Sequence, residues 1–208
     1  MVLVGGAFNA GQNEHVCLMA GLNRLWDKPY RSVWERGRDG GGASPGSVGV
    51  FVLIEASYHA NERGARVYGY IDQICSGREG PQSPDCCIRA LAGGLAPGPL
   101  HVISGASGIE PQTSEEKNFL DELSTAGLDL AVRSHANVLG WSKDVHFLAG
   151  LALAAIAAHR RAFYDPFEQS GYEQPAGGDA QRFLVTATGQ WRGAGAALVN
   201  SLELTSGH

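Results

Sequence analysis

The side chains whose type and spacing could do chemistry are three histidines, one cysteine pair and two tryptophans. His135 and His146 flank the glycine turn of "SHANVLGWSKDVHFLAGLALAAIAAHRR" (134–161), and His101 lies in "LHVISG" (100–105). A strand end, a glycine turn and an apolar helix make a common seat for a general base, and imidazole titrates near neutral pH. The residue after Gly140, however, is Trp141, and an indole carries only an N–H donor. His146 follows Trp141 by about a turn and a half. An ordinary helix histidine is the plainer reading for it than a relocated base. His101 sits well before its strand end, where side chains are normally core or interface. Lys143 and Asp144 read as solvated first-turn charge, with Asp144 favouring the helix N-terminus. Cys86 and Cys87 could offer a thiol nucleophile, but no His or Asn partner is identifiable by spacing, and a structural or incidental thiol is the plainer reading. The glycine-rich "GRDGGGASPGS" (37–47) does not follow the order of a phosphate-binding loop and lacks its GK[ST] ending.

These groups need a scaffold, and 208 residues suffice for one domain with a real core or for part of a larger one. A net charge of -5 with 44% hydrophobic residues argues against a disordered chain. No Lys/Arg cluster forms a basic stripe, which argues against a nucleic-acid surface. The longest apolar run, Phe147 to Ala158, is too short to span a bilayer. Met1 leads into "VLVGGAF" without a basic n-region, so no signal peptide is expected. The four cysteines lack zinc-ligand spacing, and the adjacent pair is a poor disulfide. A reduced, cytoplasmic protein without metal or diffusible cofactor is the expectation.

Periodicity supplies the elements. "MVLVGG" reads as a buried strand starting at residue 1 or 2, which suggests that something upstream is missing. Helical spacing covers 14–25, then a Gly/Pro-rich loop leads to strand 48–56, helix 57–64 and strand 66–74. A Pro/Gly-rich stretch (76–84) predicts a boundary, dividing the chain into 1–75 and 76–208. A short helix near 84–93 and strand 100–105 follow. Helix 114–126 is expected to start on a Ser114 cap and stop at Gly127. Strand 128–134, helix 142–160 and strands 182–189 and 195–204 complete an α/β layered fold with a hairpin-like final pair.

In this order, several phrases resemble the C-terminal half of a β-ketoacyl-acyl-carrier-protein synthase, a thiolase-fold condensing enzyme. "VLVGGAF" is similar to the strand and turn after that family's nucleophile helix, and "KPYRSVWERGRDG" to its "RPFD…RDG". "VGVFVLIEASYHANERGARVYGYI" resembles "GAGVLVLEE…A..RGA.IYA.I". "LHVISGASGIEP" stands where the family has "VNAHGTGTP", "RSHANVLGW" where it has "STKSMTGH", and "VTATGQWRGAGAALV" where it has "NSFGFGGTNASLV". The resemblance implies a thiolase-like αβαβα fold: the last strands of an N-terminal half (1–75), then a C-terminal half (76–208).

The family uses a cysteine nucleophile and two histidines that polarise a thioester carbonyl. Carried over by position, the "HGTGT" histidine falls on Ala106, the "GH" histidine on Trp141 and the pattern's lysine on Ala136. The glutamate of "GEGAG" falls near Gly46, the gating phenylalanine near Trp191, and the cysteine upstream of residue 1. Gly5–Gly6, Arg38–Asp39–Gly40, Glu55, Arg63–Gly64–Ala65, Pro111, Gly140 and Gly193 are retained. Trp141, Trp191 and Gly193 would form a wall of the acyl pocket, either as a plug or as core filling. The resemblance therefore implies a non-catalytic, chain-length-factor-like subunit, partnered by an active ketosynthase and an acyl carrier protein and most simply dimeric. The alternative is part of an active synthase completed by a separate N-terminal half, with His101, His135 or His146 standing in for the lost histidines.

Overall fold

The computed structural model describes residues 1–77, 91, 93–188 and 193–202. Its larger sheet has five strands in the order β3-β7-β6-β4-β5: β3 Tyr70–Gly77, β4 Gly98–Ser104, β5 Leu128–Ser134, β6 Arg182–Thr188 and β7 Ala194–Asn200. β4 runs parallel to β5 and β6, whereas β7 is antiparallel to both β6 and β3. The sheet is thus mixed rather than of purely parallel type. The expected final pair is present as β6–β7, and residues 70–77 belong to this sheet through β7.

Strict alternation explains why the sheet is covered on both sides. Leu100 and Val102, Leu184, and Ala196 and Leu198 face one way, onto helix α3 (Gln112–Thr125) through Phe119, Leu120 and Leu123. Ile103, Phe183 and Val185, and Ala197 and Val199 face the other way, onto helix α5 (His146–Arg160) through Leu151, Ala154, Ala157 and Ala158. Period-two side-chain direction and two apolar faces demand this arrangement. The small residues of α5 let it approach closely, and a Cβ on Gly150 would already meet Val185 Cγ1 at 3.1 Å.

Beyond α5 lies a second, two-stranded sheet. β1 (Val2–Phe8) pairs antiparallel with β2 (Val48–Ile54), the latter packing on α5 and the former on the turn at 143–145. Between the two strands come α1 (Asn13–Gly21) and a glycine-rich loop, and α2 (Ser57–Glu62) follows β2. The layers therefore run α3, five-stranded sheet, α5, two-stranded sheet.

Two helix starts differ from expectation. α3 begins at Gln112 behind Pro111, without a side-chain cap, so Ser114 is inside the first turn. Lys143 has a positive φ of 47°, which breaks the expected helix 142–160 into a short 3-10 turn (143–145) and α5. The short α4 (Ala136–Leu139) lies between β5 and Gly140. Most of the expected helix 84–93 lies outside the described residues, as do Cys86, Cys87 and Trp191. Among the described residues no helix is long and apolar enough to cross a membrane.

Candidate functional site

The C-terminal ends of β4, β5 and β6 converge on one spot, which the N-terminal end of α5 closes. Ala106 and Ala136 both sit there, fully or almost fully buried in the same apolar cluster. Their methyl groups supply neither a donor nor a charge. Around them the polar groups are tied to one another. The Ser104 hydroxyl accepts from the Ala106 N–H at 3.0 Å and donates to Glu116 Oε1 at 2.6 Å, while Ser134 Oγ donates to the Ala106 carbonyl at 2.7 Å. Thr186 and Thr188 hydroxyls also donate to Glu116. Burial pushes the Glu116 carboxyl up, against the pull of those three hydroxyls.

Glu116 was missed by motif reading, yet a signal existed. It occupies the same helical stripe as Thr113, Leu120 and Leu123, all buried, and an acid on an apolar stripe needs internal partners. Glu173 is a second such residue, also buried. Its Oε1 accepts from Trp34 Nε1, the Ser134 N–H and Asn137 Nδ2 at 2.9–3.1 Å, fastening its own loop to two other segments. No local pattern announces it, because its partners come from distant parts of the chain.

Trp141 lies in a different small cluster, with Met19, Ala43 and Ile109. Its ring stacks on His15 at 5.7 Å and approaches Phe8 at 6.3 Å. The backbone fixes the residue from both sides: Trp141 N–H donates to Ser44 O at 2.7 Å, and Gly46 N–H donates to Trp141 O at 3.0 Å. At Gly46 any Cβ would fall on the Leu139 carbonyl, and a Cβ on Gly140 (φ +72°) would lie 2.8 Å from Gly46 Cα. The backbone at Gly46 thus leaves no room for a side chain. Buried Arg36 braces the neighbouring loops through Nη1 to Gly42 O at 3.1 Å and Ser107 O at 3.4 Å, and burial lowers its guanidinium to about 10.

The three candidate histidines do not form one site. His101 is a core residue, edge-on to Phe163 at 4.9 Å with Nδ1 3.3 Å from Arg182 O, and burial lowers its pKa. His135 is fully buried, with Nδ1 3.1 Å from Ser104 O and Nε2 3.1 Å from His146 O. The His146 ring stacks on it at 4.0 Å. Burial lowers His135 to about 4 and His146 well below its ordinary value. His135 therefore has no nitrogen free for a substrate. Gly193 (φ +85°) directly precedes β7, against the Gly77 carbonyl. Glu55 is held by Arg63 and His59 on the surface around α2, away from these groups.

No protein-family model matches the chain, and no curated protein matches it in sequence. Solved structures do match in fold. The ketosynthase domain KS7 of the oxazolomycin system of Streptomyces albus JA3453 superposes with a TM-score of 0.79 at 14% identity, over 96% of this chain and 42% of that one. The ishigamide ketosynthase/chain length factor gives 0.78 at 15%, over 96% and 53%. A type II polyketide synthase acyl-carrier protein in complex with its ketosynthase bound to the hexaketide gives 0.76 at 14%, over 97% and 56%. The fold is thiolase-like, of the ketosynthase kind. The chain spans about half the length of the ketosynthases it matches.

Proposed function

We propose that this chain is a ketosynthase-like subunit without the family's catalytic residues, acting as a chain-length-factor-like partner in fatty-acid or polyketide-type acyl chain building. The observation that carries the reading is Trp141, wedged between Ser44 and Gly46 where the family sets a histidine. Buried Ala106 at the other histidine position supports it. Two carbonyl-polarising donors are absent, and a positioned donor of this kind contributes about 3 kcal/mol to stabilising an oxyanion. In this reading the partners are an active ketosynthase and an acyl carrier protein, in the cytoplasm, and residues 76–208 form the C-terminal half. Trp141, Trp191 and Gly193 shape the acyl pocket rather than react in it. Copurification with a ketosynthase encoded beside it, followed by native mass measurement, tests this. A mixed complex whose product length changes in Trp141→Ala supports the proposal. A chain that binds neither ketosynthase nor carrier protein sinks it.

One observation favours a second reading, an active synthase completed by an N-terminal half. Leu3, Phe51 and Leu53 line the outer face of the two-stranded sheet and are 67%, 66% and 50% exposed. A strand pair apolar on both faces calls for a further layer. Malonyl-carrier-protein decarboxylation by the reconstituted pair decides between the readings, since turnover sensitive to His146→Ala belongs only to the second.

A further inference from the structure

Four N–H groups converge on one buried carboxylate. Glu173 Oε1 accepts from Ser134 N, Asn137 Nδ2 and Trp34 Nε1, and its Oε2 accepts from Phe167 N at 2.8 Å. The residue is 3% exposed and belongs to loop 161–181, between α5 and β6. Hydrogen bonds to an ionised group are roughly twice as strong as neutral ones, so this carboxylate is a firm anchor. It is also itself well placed. Glu173 N–H donates to Glu168 Oε1 at 3.0 Å, and Arg133 holds the loop by the carbonyls of Tyr164 at 2.9 Å and Gln174 at 3.0 Å.

What the anchor holds is α4. A helix of one turn gains little from its own hydrogen bonds, and α4 has no apolar face to make up for it: Ala136 and Asn137 are buried, whereas Val138 is 61% and Leu139 37% exposed. The start of α4 is pinned through His135, whose Nδ1 lies 3.1 Å from Ser104 O. Beyond that point Asn137 ties it on two sides, donating to Glu173 and accepting the Val33 N–H at 2.9 Å. The far end of α4 then bears on Trp141. A methyl group on Gly46 would overlap the Leu139 carbonyl, so segment 44–46 and α4 lie back to back. That same segment brackets Trp141, whose N–H donates to Ser44 O and whose carbonyl accepts the Gly46 N–H. A shift of α4 therefore moves the indole.

We propose that Glu173 is a positioning residue for Trp141: through Asn137 it fixes α4, and α4 fixes segment 44–46 and the indole. Its effect on acyl chain length rests on the chain-length role proposed for Trp141. The positioning itself does not, because it follows from hydrogen bonds and backbone contact alone.

Amide hydrogen exchange of the intact chain tests it at the Trp141 and Gly46 N–H groups, which bond to Ser44 O and Trp141 O. In Glu173→Ala and in Asn137→Ala both amides should exchange about tenfold faster or more, as loss of a bond to a charged group implies. The Trp141 indole N–H resonance moves with them, while the amides of β6 and β7 keep their native protection. Should Glu173→Ala not fold, Glu173→Gln, which gives up one acceptor oxygen, takes its place beside Asn137→Ala. Native exchange at both amides with an unmoved indole resonance, or an equal loss of protection on β6 and β7, overturns the proposal. Product length of a mixed complex with a ketosynthase separates the two ideas. A change in Trp141→Ala and in Asn137→Ala supports both, and a change in Trp141→Ala alone overturns the positioning. No change in either overturns the chain-length role, and the exchange rates still decide the positioning.

Discussion

At position 46 a hydrogen atom is all that fits. Gly46 passes so close to the Leu139–Gly140 peptide that a methyl group would collide with backbone, which cannot swing aside as a side chain can. We expect Gly46→Ala to cost about 3 kcal/mol or more in denaturant unfolding, as forced strain usually does. The titrating residues act in opposite directions. His135 falls to about 4 in the folded protein, so the unfolded chain binds its proton first, and stability present above pH 6.5 is lost as pH drops toward 4. The shift corresponds to about 3 kcal/mol. Glu116 is raised, so its contribution is lost instead as pH climbs above its unfolded value. Glu116→Gln removes that second trend, and its stability should rise more steeply from pH 5 to pH 7 than that of the native chain. Thermal midpoints across this range provide the check. Trp141 and Ala106 could be singled out in the sequence because each follows a strand end or glycine turn at motif-like spacing. The His135–His146 stack could not, because the positive φ at Lys143 folds the chain back in a way no periodicity reports.

The elements were legible where one physical rule acted alone. β6 and β7 are short apolar runs buried on consecutive residues, and their hairpin-like pairing followed from sequence. α3 was found, but its start was misplaced, since Pro111 rather than Ser114 precedes the first turn. The pairing of β1 with β2 was invisible, because some forty residues separate strands whose register is set only in three dimensions. Close packing on α5 gives the prediction proper to this scale. Gly150 faces Val185, Ile103 and His135 within 3.4 Å of an added Cβ, so Gly150→Leu should destabilise by about 1–3 kcal/mol through overpacking. Gly177, with open space around it, is the control, where Gly177→Ala should change stability by less than about 0.5 kcal/mol. Denaturant midpoints of the two variants make the comparison.

For the whole molecule, the layers stop one short on the side of β1 and β2. Leu3, Phe51 and Leu53 together offer a continuous apolar surface to water, and full burial of such a side chain is worth about 1.5–3 kcal/mol. Alone in solution the chain should therefore self-associate with rising concentration. Leu3→Lys combined with Phe51→Lys should keep it monomeric in sedimentation without unfolding it, because both positions face outward. Loss of the fold in this variant would show that the face is already internal to the native state.

The sandwiching of α5 between two sheets also sets how freely its sequence can vary. From His146 to His159 no residue is exposed, whereas α3 shows Ser114, Glu115, Asn118, Asp121 and Glu122 to solvent. A helix with a wet side accepts many polar replacements there; one walled on both sides accepts few anywhere. In a library of random single substitutions scored for soluble folded protein, α3 should show tolerance returning every third or fourth residue. α5 should show an almost unbroken band of intolerance, relaxing only at Arg160.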